Sequence, residues 1–264
     1  MVGAKRGMVM DYQTIRVDVA GGVAVITLNR PEVMNALSSV MRAEVLAAFQ
    51  VEARVFVLTG AGRAFCSGQD LADAGALGSF DLEAVLNDEY VPLLRAITEC
   101  PVPVIAAVNG AAAGAGANLA LACDVVIACE SANFIQAFTR IGSVPDAGGS
   151  YWLPRQIGMA RAMGACLFAE AVTARQAAEW GMIWEAVPDD GFAAHWQGRA
   201  AKLASGPTVA YRGVKQALRA SFDNGLAAQL ALEARLQGAC GQTQDFHEGV
   251  TAFLEKRRAV FRGR

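Results

Sequence analysis

The chain has 264 residues, with 23 basic and 25 acidic side chains and a net charge of −2. This length can bury one large core, and the near-neutral charge balance argues against nucleic acid or an anionic membrane surface as a partner. The amino-terminal residues lack the apolar segment of a secretion signal, and no run of eighteen apolar residues is uninterrupted. We therefore expect a cytoplasmic protein with no transmembrane segment.

Cysteine and histidine placement gives no sign of a metal site. The six cysteines form no C-x-x-C pair, and the two histidines, His195 and His247, lie far from all of them in the sequence. A structural zinc site and a disulfide framework are therefore not expected.

The first half of the chain alternates strand and helix patterns. Two β-rich runs within residues 13–28 flank a glycine pair and predict a hairpin. Apolar residues recur every four positions from Ser38 to Phe49, which predicts a helix before the buried strand VFVLT. Beyond this strand, a helix is predicted over residues 88–98, and strand, short helix and strand follow over residues 104–129. Such alternation is typical of an α/β fold.

From Gly158 onward the sequence is almost wholly helical, with one short strand-like segment, IWEAV. A basic cluster lies at residues 256–258, near the end of the sequence. A solvated helix face is the ordinary interpretation of such a cluster, and contact with a phosphate group is the alternative.

The stretch GAAAGAGANLALACD, residues 110–124, has small residues that would leave backbone amides accessible at the start of a helix. It fits the dinucleotide fingerprint G-x-G-x-x-A, with Glu130 as a candidate ribose ligand. The preceding strand, however, ends too early for that motif. A second glycine turn, in AFCSGQDL at residues 64–71, could point amides at the same spot as Ala115. Two such turns are better interpreted as an oxyanion hole.

Five stretches together resemble the crotonase (enoyl-CoA hydratase/isomerase) superfamily over nearly the whole chain: AFCSGQDL, VNGAAAGAGANLALACD, GSVPDAGGSYWLPRQIG, RQAAEWGMIWEAV and EGVTAFLEKR. The resemblance implies a spiral of ββα repeats with a CoA-thioester site over residues 1–200. It also implies a helical oligomerisation region over residues 201–264 that builds homotrimers, commonly paired into hexamers. The implied substrate is an acyl-CoA thioester, with no other cofactor bound.

The resemblance also implies the site residues. The backbone N–H groups of Gln69 and Ala115 would hold the thioester oxygen, and Asp146 would be the catalytic acid/base. Substrate and CoA contacts are expected from the two glycine turns, the helix after the second turn and the chain's basic end: Ala64, Ser67, Gln69, Asp70, Leu71, Ala72, Gly114, Ala115, Asn118, Phe138 and Lys256.

Two positions that carry glutamate in water-adding members hold Asn118 and Phe138. Neither side chain can activate water, whereas Asp146 matches the single acid of isomerase-type members. The resemblance thus favours an isomerase, preferably one that converts ring 1,2-epoxyphenylacetyl-CoA to oxepin-CoA. The alternatives are an enoyl-CoA hydratase, a Δ3,Δ2-enoyl-CoA isomerase of fatty-acid β-oxidation, and a non-catalytic CoA-binding subunit.

Several of these residues also have purely structural interpretations. Asp146 could cap the helix that begins near Gly149, and Asp70 is expected to cap the helix after its own turn. Cys66 is expected to be a small buried residue, since no motif places a histidine beside it.

Overall fold

The computed structural model describes residues 12–72 and 81–264. Its strands form two sheets. The strands are β1 (Ile15–Ala20), β2 (Val23–Leu28), β3 (Val55–Gly60), β4 (Ala64–Cys66), β5 (Val104–Val108), β6 (Ala111–Ala113), β7 (Val125–Cys129), β8 (Asn133–Ile135), β9 (Ala171–Thr173) and β10 (Glu185–Val187). The large sheet has the order β1-β2-β3-β5-β7-β10, and the small sheet has the order β4-β6-β8-β9.

The large sheet begins with an antiparallel β1–β2 hairpin and continues with parallel pairs from β2 to β10. The predicted hairpin is confirmed. Strand β5 is buried along its whole length and β3 up to Thr59, as expected for parallel strands covered on both faces.

Three strands of the small sheet come from the residues that follow β3, β5 and β7, and the fourth, β9, follows α5 and pairs antiparallel with β8. In each case a three-residue strand comes next in the chain, and β4, β6 and β8 pair in parallel with one another. The chain therefore winds as a spiral of strand–strand–helix units, the predicted fold class. The three short strands themselves were not individually predicted, because three residues carry no readable periodicity.

The helices enclose the sheets and form the carboxyl-terminal part. They are α1 (Ser39–Ala48), α2 (Leu82–Val85), α3 (Val91–Thr98), α4 (Ala115–Leu121), α5 (Gly149–Phe168), α6 (Ala174–Trp180), α7 (Phe192–Ala204), α8 (Thr208–Ala220), α9 (Leu226–Gly241) and α10 (Gln244–Leu254). One π-helical turn, Leu86–Tyr90, joins α2 to α3. Short 3-10 turns lie at Pro31–Val33, Ala137–Ile141 and Asp189–Gly191.

The start of the second predicted helix needs correction. The sequence pattern places it near residue 88, but helical structure already begins at Leu82. The side chain of Asp81 accepts a hydrogen bond from the Ala84 amide at 3.0 Å and thereby caps the first turn.

Helix α8 is tied to the core by a partly buried ion-pair group. Asp124, which follows α4, contacts Lys215 at 2.6 Å and Arg219 at 2.8 Å. The same carboxylate accepts a hydrogen bond from the Val104 amide at 2.8 Å. This agrees with a structural role for Asp124. The division of the chain at residue 200 stays a prediction, and that position lies inside α7.

None of the helices in the two described ranges is both long enough and apolar enough to cross a membrane.

Candidate active site

The two glycine turns predicted from the sequence lie against each other. One follows β4 and the other follows β6, and because these strands are parallel neighbours their carboxyl ends meet at one edge of the small sheet. Gly68 has φ 95°, and a Cβ there would lie 2.8 Å from the Ala113 carbonyl oxygen and 3.4 Å from the Ala115 nitrogen. Only glycine permits both this conformation and this approach.

Gly116 allows a second close contact between the same segments. A Cβ on Gly116 would lie 2.5 Å from the Cys66 carbonyl oxygen. Cys66 is fully buried, its thiol donates to the Asn35 carbonyl at 3.1 Å, and burial raises its pKa to about 12. Such a thiol stays protonated at neutral pH and is not a nucleophile. The prediction of a structural cysteine is confirmed.

The N–H groups of Gln69 and Ala115 are the candidate oxyanion-hole donors. Ala115 is the first residue of α4, and the Gly114 N-cap provides no side-chain acceptor. Within the described residues, neither amide donates to another residue. The close approach at Gly68 therefore brings one free amide next to the other, which is the arrangement that stabilises a developing oxyanion.

Asp146 lies on the loop before α5. One of its carboxyl oxygens, Oδ1, is buried and has no hydrogen-bond partner among the described residues. Burial raises the pKa of this carboxyl to about 6, and no second described carboxylate contributes to the rise. The N-cap of α5 is Gly148, with no side-chain cap, so the helix-capping interpretation of Asp146 is wrong.

The Asp146 backbone is held by Asn118, which is fully buried on α4. The Asn118 Nδ2 donates to the Asp146 carbonyl at 2.8 Å, and its Oδ1 accepts from the Gln136 Nε2 at 2.9 Å. Gly149 makes room for this amide, since a Cβ there would lie 2.3 Å from the Asn118 Nδ2. No motif pointed to Gln136, whose other amide atom, Oε1, is also buried without a described partner.

Phe138 supplies the apolar wall of the same region. Its side chain is buried, and its ring would lie 3.8 Å from a Cβ placed on Gly114. The two positions at which water-adding relatives are expected to carry glutamate therefore hold a hydrogen-bonded amide and a phenyl ring.

The remaining predicted contact residues surround the first turn. Asp70 is buried and pairs with Arg30 at 2.7 Å, while its Oδ1 accepts from the Ala72 amide at 3.0 Å. The segment it was expected to cap lies partly in residues 73–80, outside the described residues. Ala64 is buried in β4, and Leu71 is 62 % exposed.

The side chain of Ser67, another residue of this turn, donates to the Val33 carbonyl at 3.3 Å. Its backbone amide also donates to the Met34 carbonyl at 3.0 Å. Both bonds hold the turn against the 3-10 segment after β2.

The basic cluster at the end of the chain is partly paired within its own region. Arg257 contacts Glu248 and Glu255, each at 2.6 Å. Lys256 is exposed beside it and has a left-handed backbone with φ 54°. This pairing agrees with the solvated-face interpretation of Arg257. Contact of Lys256 with a phosphate stays a prediction.

The dinucleotide interpretation of residues 110–124 is wrong. Gly114 does not end a strand of the large sheet, because β6 lies between β5 and the glycine turn. Glu130, the candidate ribose ligand, is paired with Arg175 at 2.8 Å.

The chain belongs to the enoyl-CoA hydratase/isomerase family, whose family model matches residues 18–264. This is a family of enzymes that acts on acyl-CoA thioesters. The chain is 65 % identical to a probable enoyl-CoA hydratase of Rhodobacter capsulatus, over 97 % of this chain and all of that protein. It is 46 % identical to the 1,2-epoxyphenylacetyl-CoA isomerase of Escherichia coli, over 93 % and 97 % of the two chains.

Solved structures agree on the fold. An enoyl-CoA hydratase from Bacillus anthracis superposes with a TM-score of 0.88 at 34 % identity, covering 96 % of this chain and all of that one.

Proposed function

We propose that the protein is an acyl-CoA isomerase in which the Gln69 and Ala115 amides hold the thioester oxygen and Asp146 moves the proton. One observation carries the proposal. The buried oxygen of Asp146 that has no described partner belongs to a carboxyl whose pKa is raised by burial to about 6, and no second described carboxylate contributes to that rise. A base with such a pKa is ionised at neutral pH and is still able to return its proton.

The reaction needs two proton transfers and no water. The Asp146 carboxylate removes a proton from the carbon beside the thioester carbonyl. The electron pair of that C–H bond forms a carbon–carbon double bond to the carbonyl carbon, and the π pair of the carbonyl moves onto its oxygen. The two amides stabilise the resulting enolate. Protonated Asp146 then gives its proton to a carbon further along the conjugated system, so the product has the same atoms as the substrate.

Asn118 and Phe138 support isomerisation over hydration. Asn118 holds the Asp146 backbone with its amide, and neither it nor a phenyl ring can deprotonate a water molecule. The preferred substrate is ring 1,2-epoxyphenylacetyl-CoA, which would be converted to oxepin-CoA. In that conversion the carbon–carbon bond between the two epoxide carbons also breaks, its electron pair enters the double bonds of the new seven-membered ring, and the oxygen stays bonded to both carbons. The support for this substrate is the 46 % identity to a protein named for that isomerisation. A shift of a double bond from the β,γ to the α,β position uses the same groups.

A weak enoyl-CoA hydratase is the second candidate, favoured by the name of the 65 % identical relative. Three assays on the purified protein separate the candidates: isomerisation of ring 1,2-epoxyphenylacetyl-CoA, isomerisation of a 3-enoyl-CoA, and hydration of crotonyl-CoA. We expect isomerisation to exceed hydration and Asp146→Asn to reduce it about 10²- to 10⁴-fold. Comparable hydration would favour the hydratase. Binding of acyl-CoA with no turnover of any of the three substrates would favour a non-catalytic CoA-binding subunit.

We further propose that the protein is a homotrimer or hexamer. The support is a set of large apolar side chains exposed on the carboxyl-terminal helices: Leu226, Leu230, Phe246, Phe253 and Leu254. Exposed apolar surface of this kind is typical of contacts between subunits. Analytical ultracentrifugation tests the proposal, and a monomer at micromolar concentration would contradict it.

A further inference from the structure

The side chain of Gln69 is fixed by two donors, although only its backbone N–H is a candidate for catalysis. The Gln69 Oε1 accepts from the Tyr90 hydroxyl at 2.6 Å and from the Arg42 Nη1 at 2.9 Å. Arg42 is 2 % exposed and Tyr90 is 3 % exposed. An amide oxygen with two short bonds from buried donors has little rotational freedom.

The main chain around Gln69 is fixed by Leu37 on the other side of the turn. The Leu37 amide donates to the Gly68 carbonyl at 2.8 Å, and the Asp70 amide donates to the Leu37 carbonyl at 3.2 Å. Leu37 and Gln69 form a parallel β-bridge. In such a bridge the N–H of Gln69, which lies between these two bonds in the chain, points away from Leu37. This pairing explains why the Gln69 amide is left without a partner among the described residues.

Arg42 links the two sets of bonds. The same Nη1 atom that donates to the Gln69 side chain also donates to the Leu37 carbonyl at 2.5 Å. The opposite edge of the guanidinium pairs with Glu89, with Nη2 2.7 Å and Nε 2.8 Å from the Glu89 Oε2. The buried charge of Arg42 is therefore compensated, and its orientation is set at both ends.

The π-helical turn Leu86–Tyr90 brings two consecutive residues to this cluster. Glu89 pairs with Arg42, and Tyr90 bonds Gln69 while its ring lies 5.0 Å from the Arg42 guanidinium carbon. Neighbouring residues on a regular α-helix point about 100° apart, and π-helical turns are frequent at functional sites. Burial raises the pKa of the Tyr90 phenol, so Tyr90 is a donor at all working pH values.

We propose that Arg42 and Tyr90 are positioning residues. By hydrogen-bonding to the Gln69 side chain, they orient the backbone N–H of Gln69 towards the thioester oxygen. This inference rests on the proposed function, because it assigns those two residues to the oxyanion hole of that reaction. Both residues are almost fully buried. Their effect passes through Gln69, and it falls on the stabilisation of the enolate rather than on CoA binding.

Tyr90→Phe is the first test, because it removes one hydroxyl and leaves the ring in place. We expect kcat to fall about ten- to a hundredfold, the scale on which small displacements of a catalytic group act. KM should change less than twofold. Gln69→Leu removes the acceptor itself and should give the same kcat loss, so it decides the question if Tyr90→Phe does not fold. Tyr211→Phe, on α8, is the matched control and should match wild type.

Infrared spectroscopy of bound phenylacetyl-CoA, labelled with ¹³C at the thioester carbonyl, gives a readout independent of turnover. Hydrogen bonds from an oxyanion hole lower the carbonyl stretching frequency. We expect a clear decrease in wild type and in Tyr211→Phe, and a smaller decrease in Tyr90→Phe and Gln69→Leu.

Two results would overturn the inference. The first would leave the proposed function intact, and the second would contradict it as well. If wild type lowers the frequency and Tyr90→Phe and Gln69→Leu lower it equally, with kcat within twofold of wild type, the positioning role is wrong and the oxyanion hole stands. If wild type leaves the frequency unchanged, the amides do not contact the carbonyl. In that case the proposed function and the positioning role are both wrong.

Discussion

Asp146→Asn should make the folded protein more stable at neutral and alkaline pH while it slows catalysis. The substitution keeps the shape of the side chain and removes a carboxylate that is costly to bury. Burial raises the Asp146 pKa from 3.8 to about 6. Such a shift corresponds to about 3 kcal/mol, which solvent screening of this partly exposed group reduces to about 1 to 2 kcal/mol.

The pH dependence of this effect has a definite sign. Because the folded-state pKa lies above the unfolded one, the contribution of Asp146 to stability is fully present below pH 3.8 and is lost as pH rises through about 6. Asparagine has no such loss. The advantage of the Asp146→Asn variant should therefore be about a third of its full value at about pH 4.5 and reach its full value at about pH 8.

Urea unfolding at these two pH values measures the difference directly, because it yields the free energy of unfolding at each pH. Asp223→Asn is the matched control, since Asp223 is exposed between α8 and α9 and its replacement should act equally at both pH values. If Asp146→Asn is less stable than wild type at the higher pH, or has the same advantage at both, the burial argument is refuted.

Three further outcomes follow from the site. The kcat/KM of wild type should rise with pH and reach half its plateau at about pH 6, because Asp146 acts as an ionised base; a flat pH–rate profile from about pH 5 to 8 would contradict this. Gly116→Ala places a methyl group 2.5 Å from the Cys66 carbonyl, so calorimetry should show a loss of about 1 to 3 kcal/mol, together with slower isomerisation. Asn118→Ala removes the hydrogen bond to the Asp146 carbonyl and leaves the Gln136 Nε2 without its acceptor. This change should lower kcat and destabilise the fold by about 1 to 3 kcal/mol. Unchanged kcat would exclude a positioning role for Asn118.

The long elements of the fold were predictable because each carries its own pattern. Strand β3 is a continuous apolar run, and helix α1 has apolar residues at helical spacing. Each pattern is visible within its own segment of the sequence. The strands β4, β6 and β8 have three residues each. They form because the preceding strands bring these residues side by side. The sequence of any one segment does not show this pairing.

The same distinction applies to the site. Gly68, Gly114 and Asp146 were identified from short motifs, since tight turns and family motifs are local features of a sequence. Arg42 and Tyr90 were not connected to Gln69, because their hydrogen bonds span 27 and 21 residues. A buried arginine within an otherwise apolar helix face was the available signal, and only the tertiary structure shows which carbonyl and which amide it contacts.

In the proposed reaction, one carboxylate and two amides move a proton without adding water. The most direct measurement is product analysis by liquid chromatography, which separates substrate from isomer, followed by mass spectrometry, after incubation of ring 1,2-epoxyphenylacetyl-CoA or a 3-enoyl-CoA with wild type and with Asp146→Asn. We predict a product of unchanged mass from wild type and a rate lower by about 10²- to 10⁴-fold with the variant. A product heavier by one water, formed at a comparable rate, or a variant within tenfold of wild type, would contradict the claim.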